Sequence, residues 1–272
     1  MEDTNLEIQL WRKILCPYEL AVRELILKFE HIIEEHRQNN LYSPIEQVEG
    51  RVKSVASILE KLQRKNIPME RMEEEIEDIA GIRIICQFEE DIETVARMLQ
   101  QRSDMIIKSE KNYLKNIKES GYRSYHLIIY YTVETIDGPK RIQAELQIRT
   151  MAMDFWATIE HSLQYKYKGD IPPHVTERLT KAAEAIHALD HEMSSVREEI
   201  MDAQNSSRLQ SDIVQDILLC IENLYKVSNQ REVRKIQDEF LRVYSTKDMQ
   251  QLERFHRQLD IIAEGYRAQA LK

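Results

Sequence analysis

The chain has 272 residues, 42% of them hydrophobic and 31% charged, with a formal net charge of -9. That is long enough for one sizeable domain with an accessory part, and too acidic for a protein that coats nucleic acid over its whole surface, though a local basic patch could still take a polyphosphate. Three dispersed cysteines without ligand spacing, no apolar run of membrane-spanning length and an acidic start, MEDTNLEIQL, give the expectation of a reduced, cytoplasmic protein.

Residues 5 to 37 carry helical periodicity in two stretches divided at Cys16-Pro17, with Leu25, Phe29, Ile32 and Ile33 on one stripe. Ser43-Pro44-Ile45-Glu46 combines a cap residue, a proline at the first helical position and a glutamate at the third, which predicts a helix start. A short turn to Gly50 and a longer helix over 52–65 follow. From 76 to 150 the period changes. DIAGIRIICQF, MIIKS, YHLIIYY and RIQAELQIR read as strands, with a helix over 90–102 between the first two. Helices are then predicted over 150–168, 174–204, 209–228, 230–245 and 247–269, the last with Leu252, Phe255, Leu259, Ile262 and Tyr266 on one stripe. The polar run DAQNSSR, 202–208, is the best boundary, giving a domain at 1–204 and a helical extension at 205–272.

Several stretches could carry chemistry. In GRVKSVASILEK the apolar stripe is Val52, Val55, Ala56, Leu59 and Leu62, while Lys53, Ser57, Lys61 and Arg64 recur on another face and Arg51 sits at the start. A row of cations with a hydroxyl suits a phosphate chain, although lysine-rich faces are also common on solvated helices. In EDIAGIRI an arginine, Arg83, stands in an apolar strand, which requires an anionic partner; a pair with Asp78 is one solution, and Gly81 permits close backbone approach. QAELQIRT alternates Ala144, Leu146 and Ile148 against Gln143, Glu145, Gln147 and Arg149. On an outer strand the polar set is an ordinary solvated face. On a central strand Glu145 becomes a carboxylate on the floor of a sheet, able with Asp78 to hold Mg2+ against phosphate oxygens. In the helix after it, Trp156, Ile159 and Leu163 form the expected buried stripe, and His161 is more naturally a packed residue than a catalyst. Glycine-rich GxxxxGK loops, HExxH and GxSxG are all absent.

In order, GRVKSVASILEK, DIAGIRI, ESGYRSYH, ELQIRT and FWATIEHSLQYKY resemble the synthetase domain of RelA/SpoT-type enzymes, most of all the stand-alone small alarmone synthetases of bacteria, over about residues 17 to 200. The resemblance implies an α+β fold, a nucleotidyltransferase-like mixed sheet flanked by helices, here followed by the helical extension. It implies transfer of pyrophosphate from ATP to the ribose 3′-hydroxyl of GDP or GTP, making ppGpp or pppGpp. By the same resemblance Arg51, Lys53, Ser57, Lys61 and Arg83 hold the ATP phosphates, and Asp78 and Glu145 are catalytic and bind Mg2+, with Glu145 activating the hydroxyl. Tyr122 stacks on the guanine, and Lys118, His126 and Gln147 line the acceptor site together with Lys111, which stands where relatives commonly have arginine. A homo-oligomer, a tetramer by resemblance, is implied as well. Ile26, Glu30, Gln47 and Glu49 do not supply the basic residues that bind an alarmone in tetrameric relatives, so product activation is not expected. No His-Asp dipeptide occurs, so synthesis without hydrolysis is expected. The alternatives are a toxin-type relative acting on adenosine nucleotides or tRNA 3′ ends, and a nucleotide- or RNA-binding scaffold without turnover; neither a membrane nor RNA is an expected partner.

Overall fold

A computed structural model describes residues 2–166, 172–227 and 229–270. The chain begins with a single helix, α1 (Glu2–Gln38), which runs through Pro17 rather than dividing there. Tyr18, Ala21, Leu25 and Phe29 are fully buried on its inner face, and that packing outweighs the roughly 3 kcal/mol that an internal proline costs.

The predicted helix start at Ser43–Glu46 does not form. The Ser43 hydroxyl instead donates to the Ile45 carbonyl at 2.7 Å, a local turn, and the chain enters a strand, β1 (Gln47–Val52). Gly50 is part of that strand. A Cβ there would come within 2.8 Å of Ile82 and Val22 and 2.9 Å of Ile26, so only glycine lets α1 lie this close to the sheet. The next helix, α2 (Val55–Lys65), starts at Ser54, whose side chain accepts from the Ser57 amide, and ends at Asn66 in the left-handed region. Its buried residues are Ile58 and Leu62, while Leu59 is exposed, so the predicted stripe is shifted by one residue at its centre.

A 3-10 turn (Met69–Arg71) and the short helix α3 (Met72–Glu75) lead to β2 (Ala80–Cys86), and α4 (Glu89–Gln100) connects β2 to β3 (Ile106–Asn112). The hairpin of β4 (Tyr125–Thr135) and β5 (Gly138–Thr150) completes a five-stranded sheet of order β1-β2-β5-β4-β3. The β2–β5 pair is parallel and the other pairs are antiparallel, so the sheet is mixed and β5 lies at its centre. Ile82, Ile84, Leu127, Ala144, Leu146 and Ile148 are completely buried in the principal core, together with side chains of α1 and α4. The opposite face of the sheet carries the polar residues.

Helix α5 (Met151–Lys166) follows β5 directly; residues 167 and 168 of the predicted 150–168 helix lie outside those described. Trp156 is buried as expected, but Ile159 is exposed. The segments predicted at 174–204 and 209–228 form one helix, α6 (Pro173–Val227), with residue 228 not described. The run DAQNSSR contains neither glycine nor proline beyond the helix start, and each Asn or Ser disfavours helix by less than about 0.7 kcal/mol, so it remains helical. Packing divides the chain between Ser195 and Val196. The second unit has its own core, where Ile217, Ile221 and Leu224 of α6 meet Val233 and Phe240 of α7 (Gln230–Ser245) and Leu252 of α8 (Met249–Ala270). Among the described residues no helix is long and apolar enough to cross a membrane.

Candidate active site

The ladder places the polar residues in rows across the sheet, because directly paired residues point to the same face. One row runs Arg51, Gly81, Glu145, Ile128 through β1, β2, β5 and β4. The next runs Glu49, Arg83, Gln147, His126, Lys111 through all five strands. Gly81 thus leaves a gap between Arg51 and Glu145. A Cβ at Gly81 would meet only the Arg51 carbonyl, at 3.8 Å, so the glycine opens a pocket floor rather than admitting another stretch of backbone. Arg51, Lys53, Asp78, Arg83, Glu145 and Gln147 line that pocket. A broader groove adjoins it, sharing Arg51 and Lys53 and continuing along α2 past Ser57, Lys61 and Arg64 to His161.

Asp78, at the approach to β2, is held by two ammonium groups, Lys53 at 2.8 Å and Lys61 at 2.7 Å. Burial alone would raise its pKa, but these hydrogen bonds and charges carry it below the ordinary aspartate value, so the carboxylate stays ionised. Arg83 therefore does not pair with Asp78. Its Nη1 lies 3.9 Å from Glu49 and 4.0 Å from Asp154, while the side chain keeps 29% exposure toward the pocket.

Glu145 is fixed at both oxygens. His126 Nδ1 lies 3.0 Å from Oε1, and the Gln147 amide donates to Oε2 at 2.8 Å. Burial would raise this carboxyl, and the bonds from His126 and Gln147 bring it below the usual glutamate value. With Glu145 ionised, the Nδ1 proton of His126 faces it, and in the neutral ring Nε2 accepts from the Tyr122 hydroxyl, 2.9 Å away. Tyr122, Tyr113 and His126 meet edge to face, with centroids 5.1 to 6.0 Å apart. Lys118 Nζ lies between the two tyrosines, 4.5 Å from the Tyr113 ring and 4.6 Å from that of Tyr122.

Eleven of the twelve predicted site residues fall on these two grooves or this aromatic corner. Lys111 stands apart from the pocket lining, its Nζ bonded to Glu77 at 3.2 Å, although its backbone pairs with His126. Sequence reasoning missed Tyr113, Glu77 and Asp154. Glu77 adjoins Asp78 in EEIED and binds both Lys108, at 2.9 Å, and Lys111; the acidic run was visible, its partners on β3 were not. Asp154 lies five residues after Arg149, across the strand-to-helix corner, and only that corner brings them together.

The donor set fits Mg2+. Two ionised hard carboxylates share one pocket with the cations of Arg51, Lys53 and Arg83, and among the described residues no group of three or more His, Cys, Asp or Glu forms a complete protein cage. Mg2+ is commonly held by one or two carboxylates, with substrate phosphates and water supplying the remaining oxygens.

Residues 50–170 match the family model described as the region found in RelA/SpoT proteins. The chain is 51% identical over 194 residues to GTP pyrophosphokinase YjbM of Bacillus subtilis, covering 71% of this chain and 92% of that protein. It is 42% identical to GTP pyrophosphokinase YwaC of the same organism, covering 74% of this chain and 96% of the relative. The crystal structure of small alarmone synthetase 1 from Bacillus subtilis bound to its product pppGpp superposes with a TM-score of 0.69 at 50% identity, covering 71% of this chain and 98% of that one. On this agreement of sequence, sheet and motif order, the chain belongs to the RelA/SpoT family, with the small alarmone synthetases.

Proposed function

We propose that this protein is a GTP/GDP pyrophosphokinase, transferring the β,γ-pyrophosphoryl group of ATP to the 3′-hydroxyl of GDP or GTP to form ppGpp or pppGpp in the stringent response. The observation that carries the reading is the pocket itself: two ionised carboxylates, Asp78 and Glu145, share it with Arg51, Lys53 and Arg83 on the floor of the sheet, in a chain 51% identical over 194 residues to a GTP pyrophosphokinase.

In this reading Arg51, Lys53, Ser57, Lys61 and Arg83 bind the ATP phosphates, the α2 groove taking the triphosphate. Tyr122 stacks on the guanine, and Lys118, His126, Gln147 and, from β3, Lys111 surround the acceptor. Asp78 and Glu145 would hold Mg2+, which when bound would supply charge neutralisation at the phosphoryl oxygens and alignment of the two substrates. The acceptor O3′ attacks the β-phosphorus, the bond from that phosphorus to the α–β bridging oxygen breaks, and AMP leaves with the bond's electrons. Glu145 takes the proton from the hydroxyl. Because the transition state of such transfers is loose, positioning and cationic stabilisation contribute more than a strong base, which suits a glutamate whose pKa is lowered.

Lys53 and Lys61 would leave Asp78 for the arriving phosphates, freeing its oxygens for the metal. A cytoplasmic, self-associating enzyme without hydrolase activity completes the reading; the three free cysteines suit the first part. The test is chromatographic analysis of products after incubation with Mg2+, ATP and GDP, GTP or GMP, beside Glu145→Gln. AMP and a 3′-pyrophosphorylated guanosine nucleotide should appear only with Glu145 present. Consumption of ATP without a guanosine acceptor would overturn the assignment.

A further inference from the structure

Glu145 is reached from both sides, by hydrogen bonds through His126 and Tyr122 on one and through Gln147 on the other, where the residues beyond Gln147 have no role so far. On the far side of Gln147 the chain continues. Arg149 Nη2 donates to Gln147 Oε1 at 3.2 Å, and Arg149 Nε lies 3.1 Å from Asp154 Oδ1 as an ion pair whose angles do not make a hydrogen bond. The series Asp154, Arg149, Gln147, Glu145 therefore runs from the first turn of α5 to the reacting carboxylate. Arg149 is 2% exposed, and neither it nor Asp154 lines the pocket. A buried guanidinium is costly unless paired, and burial does lower its pKa, so the position calls for the Asp154 carboxylate.

The corner that brings them together is itself fixed. Thr150 ends β5, its Oγ1 accepts from the Met153 amide at 3.1 Å, and its hydroxyl donates to the buried Asp190 at 2.6 Å. Asp154 is thereby set one turn into α5, where a negative charge also suits the helix N-terminus. Arg149 shares the sheet face of Glu145 and Gln147 because side chains two residues apart on β5 point the same way.

We propose that Arg149 and Asp154 are positioning residues for Glu145, acting through Gln147. An amide side chain can present either its oxygen or its NH2 group to a neighbour. A guanidinium has only donors, so Arg149 fixes the Gln147 oxygen toward itself and the NH2 toward Glu145 Oε2. The ionised carboxylate takes the NH2 end and Arg149 the oxygen end, so the amide is held at both; without Arg149 it is tethered to Glu145 alone, and the pair can swing from the orientation the other carboxylate oxygen shares with His126. The inference rests on the role given to Glu145 above.

Arg149→Lys separates this role from a structural one: it keeps a cation against Asp154 but lacks the second nitrogen that reaches Gln147. Its kcat should fall about tenfold, with KM for both nucleotides within about twofold of wild type. Calorimetric affinity for a non-hydrolysable ATP analogue should be unchanged. Asp154→Asn, isosteric and retaining an acceptor, should lower kcat in the same sense and keeps the test available should the lysine variant fold poorly. In a cycle with Gln147→Ala, the double variant should be no slower than the slower single variant, since the three residues act as one chain. Wild-type kcat in both Arg149→Lys and Asp154→Asn, while Glu145→Gln is inactive, overturns the proposal alone; so do effects that multiply in the double variant. A wild-type protein without pyrophosphokinase activity overturns the reading of Glu145 and this inference with it.

Discussion

Replacing Gly121 with alanine perturbs the loop that introduces Tyr122, and the structure gives the magnitude. Gly121 has φ of 83°, and a Cβ there would lie 2.6 Å from the Ala183 Cβ on α6. A non-glycine residue in the left-handed region costs about 1 to 2 kcal/mol. The contact falls about 1 Å inside the normal carbon–carbon separation, and overpacking of this kind costs a further 1 to 3 kcal/mol or so. The stiffer unfolded chain returns about 0.4 to 1 kcal/mol, so a net loss of about 1 to 5 kcal/mol is expected. Guanidinium unfolding followed by tryptophan fluorescence would measure it, since Trp156 packs in the same cluster as Ala183 and donates to the Leu179 carbonyl at 3.1 Å. Adding Ala183→Gly removes the clash but not the backbone strain. The double variant should therefore be more stable than the sum of the single effects by about 1 to 3 kcal/mol. Because Tyr122 packs on that cluster, the acceptor KM should rise more than that of ATP. A Gly121→Ala protein within about 0.5 kcal/mol of wild type, or strict additivity with Ala183→Gly, would refute the reasoning.

Gly81→Ala makes the opposite separation: its Cβ meets no clash and enters the pocket between Arg51 and Glu145, so stability should hold while turnover falls, as paired denaturation and kinetic measurements would reveal. Tyr122→Phe keeps the ring and loses the hydroxyl bonded to His126, and should lower kcat several-fold with little change in acceptor KM, whereas Tyr122→Ala should raise that KM; identical kinetics for the two would remove the stacking role. Asp78 has a folded pKa below its unfolded value of about 4. Its contribution is therefore fully present above that unfolded value and is lost as pH falls through the folded one. Stability of Asp78→Asn should accordingly be less sensitive to acid than that of wild type below about pH 4, and equal slopes in acid titrations followed by circular dichroism would contradict this.

The alternation of β5 was legible in QAELQIRT because a two-residue period is local, and the core and polar faces fell where it put them. The central place of that strand was not legible, since it depends on the parallel pairing of β2 with β5, some sixty residues apart. The same limit explains Arg83: its need for anions was evident, but Glu49 and Asp154 come from β1 and α5. Strand β1 escaped notice although QVEGRV alternates, because Ser43-Pro44-Ile45-Glu46 imitates a helix cap and Gly50 resembles a turn. Its glycine has a packing reason that only α1 reveals. The cations of α2 were readable on one face; that two of them close on Asp78 depends on where that helix lies beside β2.

Strand β5 also joins two kinds of information that proteins often keep apart. Leu146 and Ile148 build the core while Glu145, Gln147 and Arg149 form the polar row to which the proposed site belongs, each set displaced by one residue from the other. Any slip by a single residue would turn the first set away from the core and the second into it, so strand pairing is proofread by both at once. An insertion or deletion of one residue in this segment therefore disturbs the core and the polar row together, and a correctly paired strand arrives with the Glu145 carboxylate already on the pocket side of the sheet.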